Sequence, residues 1–370
     1  MSKFLKAVPL YLLLLPVFFC LHGALENFGL IKPGSLANTG LNIFLAIAVL
    51  FAIVWLFTRK VAFAGIVSFS LSVWYLFFGA VIDWVKSKLY LEFMSNFSIV
   101  LVASLLVVLL FLFLLRKKPG AQAKIHYYLN ILLLVYCLYD AAMIVYKNST
   151  KPAAAIPSTH PFDKALVKQK PNVYYLLFDE YPGRKGLVDS FAFSNDSLYS
   201  FFNKAGFAEL PVFSNYNSTF YSMSSILNMQ YVYPLVHPEA IEQEDYELRR
   251  KEISHSKVLQ CFMGMNYKIY NLSIFDIQTP DSLDGFHIPF DRVSNITDKI
   301  FHNRALSYYG KFFATGKFKI GFIRERYMLV DAWNANMEAK LNEVASTATG
   351  KPKFTYAHIF LPHLPIYRDS

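Results

Sequence analysis

Apolar residues run for the length of a bilayer crossing at 7–24, 41–57, 61–82, 97–115 and 127–146, five stretches with almost no charge, and no comparable run follows Lys147. A bilayer core needs about 20 apolar residues in a helix, because lipid offers no partners to backbone N–H and C=O groups and only a helix satisfies its own. The pattern predicts an α-helical membrane domain of five transmembrane helices over residues 1–147. Residues 148–168 place Pro152, Pro157 and Pro161 among Ala, Ser and Thr, so no helix runs through them and a linker is expected. From 169 to 370, strand-like and helix-like runs alternate, which predicts an exported α/β domain with a central sheet. Within it, 173–178 reads as a buried strand and 189–205 as a helix with Phe191, Phe193, Leu198, Phe201 and Phe202 on its apolar face. Helices are expected at 219–230, 256–263 and 326–345, and further strands at 267–272 and 353–361.

Charge sets the orientation. The loops holding Lys3 and Lys6, then Arg59 and Lys60, then Arg116, Lys117, Lys118 and Lys124 are basic without acids, so they are assigned to the cytoplasm and everything after Lys147 to the far side. This describes a multi-pass protein of the cell (inner) membrane with a periplasmic or extracellular C-terminal domain. The first stretch also has the length of a signal peptide, but Pro16 and the four later stretches favour an uncleaved helix. Residues 1–150 carry 12 basic against 4 acidic side chains and residues 151–370 carry 24 against 22. The net charge of +10 is thus topogenic and gives no reason to expect nucleic acid. Cys20 and Cys137 fall in apolar stretches, leaving Cys261 alone in the exported part, where it has no partner for a disulfide. Asp140 is the one acid inside an expected span, and Tyr136, Tyr139 and Tyr146 on the same helix point to an interfacial polar cluster rather than a proton relay. A transporter reading has little support, since the spans hold almost no ionisable residues and show no repeat.

The candidate chemistry lies in three phrases. Asn172-Val-Tyr-Tyr-Leu-Leu-Phe-Asp-Glu180 ends a strand on Asp179 and Glu180, where ligands bind in open α/β sheets and where two carboxylates suit a divalent cation; a solvated acid pair is the plain alternative. In Ser214-Asn-Tyr-Asn-Ser-Thr-Phe-Tyr-Ser-Met, Thr219 begins a helix whose unsatisfied N–H groups attract phosphate and stabilise an alkoxide, although Thr is also a common helix cap. In Phe354-Thr-Tyr-Ala-His-Ile-Phe-Leu-Pro-His-Leu-Pro365, the period of two puts His358 and His363 on opposite faces unless Pro362 turns the chain.

In this order the phrases resemble the alkaline phosphatase/sulfatase superfamily, and the five-span N-terminus resembles its membrane branch, the phosphoethanolamine transferases and lipoteichoic acid synthases. The resemblance implies metal-dependent transfer or hydrolysis of a phosphate-ester group, such as a lipid head group. Thr219 would be the nucleophile, Asp179, Glu180 and Thr219 would ligate zinc, manganese or magnesium, and His363 and His358 would contact substrate. The implied partners are membrane lipids, a phosphorylated lipid donor and a glycan or lipid acceptor. A sulfatase-like hydrolase is a further alternative, weakened because Thr219-Phe-Tyr-Ser-Met lacks the Cys-x-Pro-x-Arg or Ser-x-Pro-x-Arg phrase of formylglycine sulfatases. The paired cysteines common in phosphoethanolamine transferases are also missing from the exported part. A superfamily Asp-His pair that would complete the metal site is not found before Ser370. The α/β domain is therefore expected to be incomplete at its C-terminus and inactive as it stands, with an inactive binding or scaffold protein of the same fold as the other reading.

Overall fold

The computed structural model describes residues 8–88, 96–150, 167–232, 243–277, 293–315 and 329–360. The elements begin with five apolar helices: α1 (Tyr11–Glu26), α2 (Pro33–Thr58), α3 (Val61–Lys88), α4 (Phe97–Leu115) and α5 (Pro119–Ser149). There follow β1 (Val173–Phe178), α6 (Arg184–Phe191), α7 (Asp196–Lys204), α8 (Thr219–Asn228), α9 (Gln243–Ser254), α10 (Lys257–Gly264) and β2 (Lys268–Leu272). The last are α11 (Val293–Thr297), α12 (Phe301–Thr315), α13 (Leu329–Ser346) and β3 (Lys353–Ile359). They form two compact units, one of 1–153 with 291–324 and one of 154–290 with 325–370.

In the first unit α2 to α5 are long and apolar enough to cross a membrane, and α1 is a shorter apolar helix of 16 residues. α2 buries only Ile43 and Ile47 and exposes Leu41, Leu45, Val49, Ile53 and Leu56, a surface at home in lipid and not in water. These features make the chain a multi-pass membrane protein. α1 and α5 run parallel: the Tyr11 amide donates to Asn130 Oδ1 at 2.8 Å, and further along His22 Nδ1 lies 3.3 Å from Asp140 Oδ2. Asn130 also donates to the Val8 carbonyl, and His126 joins the Tyr11 hydroxyl to the Ala62 carbonyl. Asp140 is 2% exposed and faces His22, while Tyr136, one turn before it, packs on Phe18 of α1, and Tyr139 and Tyr146 are exposed. The buried acid thus lies against a polar side chain of the neighbouring helix, as suits an acid in lipid.

The unforeseen part of this unit is α11 and α12, which the sequence reading assigned to the exported half. They seat on glycines of two membrane helices. A Cβ on Gly23 of α1 would lie 2.3 Å from Ile296 Cγ2, and one on Gly79 of α3 would lie 2.7 Å from Lys299 Cα, so glycine makes room for the Ile296 side chain at the first place and for a close backbone approach at the second. Gly79 N–H also donates to the Lys299 carbonyl at 2.7 Å, and Phe301 packs among Trp74, Phe78 and Phe97.

The second unit is built on a parallel sheet of order β1-β3-β2, in which Leu177 pairs with His358 and Phe178 with Ile359. β3 is buried along its whole length, as a central strand with Phe354, Tyr356 and Ile359 should be. Met337 of α13 packs on Leu272, Ala357 and Ile359. The helix expected at 189–205 is instead two, broken where Ala192 takes a left-handed φ of 50°. Its supposed apolar face is not buried: Phe191 is 66% and Phe201 63% exposed.

Candidate functional site

β1 and β3 end side by side, and the register puts residues 177 and 358 on one face of the sheet. Asp179 shares that face, two residues past Leu177, and its amide donates to the Ile359 carbonyl at 2.9 Å, extending the ladder past β1. Its Oδ2 lies 3.2 Å from His358 Nε2. The other imidazole nitrogen, Nδ1, is 3.2 Å from the Tyr356 hydroxyl, and the ring is 0% exposed, enclosed by Tyr356, Phe275 and Phe360. Burial holds the Tyr356 phenol well above its ordinary value, with Tyr175 and Asp179 adding to the effect, so it stays neutral beside the imidazole. Glu180 follows with a left-handed φ of 58°, which turns the chain sharply off the strand.

The start of α8 is tied to this sheet edge by rings. Phe220, next to Thr219, stands edge-on to Phe275 with centroids 5.4 Å apart, and Phe275 stands edge-on to His358 at 6.1 Å. Phe275 is held in turn by its loop, where Asn271 Nδ2 donates to its carbonyl at 2.7 Å and Asn271 Oδ1 accepts from the Ser273 amide and hydroxyl.

The hydroxyls of α8 divide by what they touch. Ser222 and Ser214 approach the Tyr216 carbonyl at 2.8 and 2.7 Å, and Ser225 accepts from Asn215 at 3.0 Å. Ser224 donates to Glu252 Oε2 at 2.5 Å, and Arg249 donates to the same oxygen at 2.7 Å. Burial pushes the Glu252 carboxyl up, and the Ser224 bond and Arg249 pull part of the way back. These serines brace the helix from behind. Thr219 is its first residue, half-buried, and its hydroxyl has no hydrogen-bond partner among the described residues. The preceding Ser218 is extended and makes no side-chain cap, so the N–H groups of the first turn keep their pull on an anion.

Of the five residues singled out from the sequence, Asp179 and His358 thus meet directly, Thr219 opens a helix joined to them through Phe220 and Phe275, and Glu180 turns away after Asp179. His363 lies outside the described residues. Among the described residues no group of three or more His, Cys, Asp or Glu is placed to hold a metal ion, so the donors at hand fall short of a catalytic metal's usual three. Sequence reasoning missed Tyr356 and Phe275. The alternation Phe354, Tyr356, His358 was the available signal for Tyr356, since it puts all three on one face. No family model, curated protein or solved structure matches the chain.

Proposed function

We propose that the protein is a membrane-anchored enzyme that transfers or hydrolyses a phosphate-ester group, such as a lipid head group, through Thr219. The observation that carries this reading is the hydroxyl of Thr219, unengaged among the described residues at a helix start, where Ser222, Ser224 and Ser225 of the same helix are all bonded. In the reaction the Thr219 oxygen attacks the phosphorus of the donor diester while its proton leaves to base. The bond from phosphorus to the lipid oxygen breaks, and that oxygen leaves protonated as a diacylglycerol. An acceptor hydroxyl, from a glycan, a lipid or water, then attacks the phosphothreonine and restores the threonine. The helix N-terminus stabilises negative charge on the phosphoryl oxygens in both steps.

Asp179 and Glu180 would offer carboxylate oxygens, with the Thr219 hydroxyl, to a divalent cation whose further ligands are not among the described residues. His358, wholly buried, would act as a positioning residue that aims Asp179, with Tyr356 fixing the ring from behind. His363 would contact substrate. The resemblance to phosphoethanolamine transferases and lipoteichoic acid synthases supports five crossings, a cytoplasmic N-terminus and an exported second unit of alkaline-phosphatase-like fold. The parallel course of α1 and α5 supports an odd count of crossings, because the four reversals between the first helix and the fifth leave the two aligned.

A scaffold reading is favoured by one observation, that His358 already lies at ion-pair distance from Asp179 and gives the acid a partner without a metal. Release of diacylglycerol from phospholipid by the full-length protein, compared with Thr219→Ala, separates the two. The enzyme reading expects release that the substitution abolishes, and the scaffold reading expects none from either.

A further inference from the structure

We propose that Lys299 and Arg304, gathered on Asp83 at one end of the helix bundle, bind the phosphate of a membrane phospholipid head group. Lys299 Nζ lies 2.9 Å and Arg304 Nη2 2.6 Å from the same carboxylate oxygen, Asp83 Oδ2. One oxygen serves two cations, and the cluster keeps a net positive charge. Lys offers three N–H donors and Arg five, so among the described residues most of their donors remain to be matched by an acceptor with several oxygens, which a phosphate is. The side chains stay reachable, with Asp83 40%, Lys299 37% and Arg304 27% exposed.

The place in the unit names the lipid as the source. Asp83 lies in the last turns of α3, and Trp84 beside it is 62% exposed, the kind of residue that sits at head-group level. The cations themselves are fixed and not waving from a loop: Gly79 N–H binds the Lys299 carbonyl, and Phe301 anchors α12 between Trp74 and Phe97. Tyr75, Gly79 and Asp83 recur every four residues and so form one stripe of α3, which meets His302, Lys299 and Arg304 in turn. A rigid pair of cations beside apolar helix surface suits a molecule with a phosphate and acyl chains. This inference rests on the membrane placement of the first unit and not on the transfer reaction.

The test uses the full-length protein in detergent and measures binding of a short-chain phosphatidylglycerol by native mass spectrometry. Lys299→Gln is expected to weaken binding about fivefold, and Lys299→Gln with Arg304→Gln about 25-fold, on the basis of one surface cation's share of anionic-lipid attraction. Asp83→Asn removes the competing carboxylate and is expected to tighten binding by a similar fivefold. A clasp with no ligand would instead leave affinity unchanged in all three variants, which overturns the proposal. Weakening by Asp83→Asn overturns it too. Displacement of the lipid by the matching diacylglycerol, or by inorganic phosphate at equal concentration, overturns the assignment to a phospholipid. Transfer activity need not be present for any of these readouts, so failure here and failure of the enzyme reading remain distinct.

Discussion

Asp179 and His358 owe their meeting to strand register. Each was readable as a strand-end residue, but that the imidazole would point at the carboxylate depends on which strand lies next to which, and paired residues of β1 and β3, such as Leu177 and His358, lie far apart in the sequence. No local pattern records a pairing at such a separation. The Tyr356 hydroxyl against His358 Nδ1 is buried, so Tyr356→Phe should cost about 1 kcal/mol by leaving that nitrogen without its partner. Thermal melting of the full-length protein measures it. A second expectation concerns Glu252, whose carboxyl is raised by burial. A carboxyl held above its ordinary range stabilises the fold while protonated, and that contribution fades as pH climbs from the ordinary glutamate range through the raised folded value. Ser224→Ala removes a bond that favours the ionised form, so it should destabilise more at neutral pH than at mildly acidic pH. Equal losses at both would show that Glu252 does not change its charge over that range.

At the scale of elements, the helices and strands with a strong pattern of their own stand close to where the sequence puts them. β1 occupies Val173–Phe178, α8 begins at Thr219, and β3 begins at Lys353. The helix expected at 189–205 failed for a legible reason. Ser194 accepts from the Asp196 amide at 3.3 Å and Asp196 opens the second helix, so Ser194-Asn-Asp196 was a stop-and-start signal inside an apolar pattern. α11 and α12 left no signal strong enough to place them, because their docking is written on the membrane helices as glycines. Gly79→Ala and Gly23→Ala should both loosen this docking, by about 1–3 kcal/mol for overpacking. Gly79→Ala should cost more, although the Gly23 contact is the shorter, because the Gly79 substituent meets the backbone at Lys299 whereas the Gly23 substituent meets the Ile296 side chain, which can swing aside. Melting of both variants in detergent gives the order, and the reverse order would show that the α11–α12 corner yields more easily than Ile296.

For the whole molecule, hydropathy alone revealed the membrane helices, since lipid demands the same long apolar run at every crossing. It did not reveal that the chain leaves the first unit after α5 and returns to it at Val293, because a segment that docks on helix ends needs only a few apolar anchors such as Ile296 and Phe301. Charge in the connecting loops is the basis for the proposed orientation. Alkaline phosphatase reporters fused after Asn148 should be active and those fused after Lys118 inactive, and the opposite pattern would reverse the orientation. The proposed chemistry depends on Thr219 acting as the nucleophile toward a lipid phosphodiester. Its most direct measurement is peptide mass spectrometry of the full-length protein after incubation with phospholipid and no acceptor. A phosphoryl or head-group phosphate adduct on Thr219, absent from Thr219→Ala, is the expected result. An unmodified Thr219 in a preparation that releases diacylglycerol would contradict it.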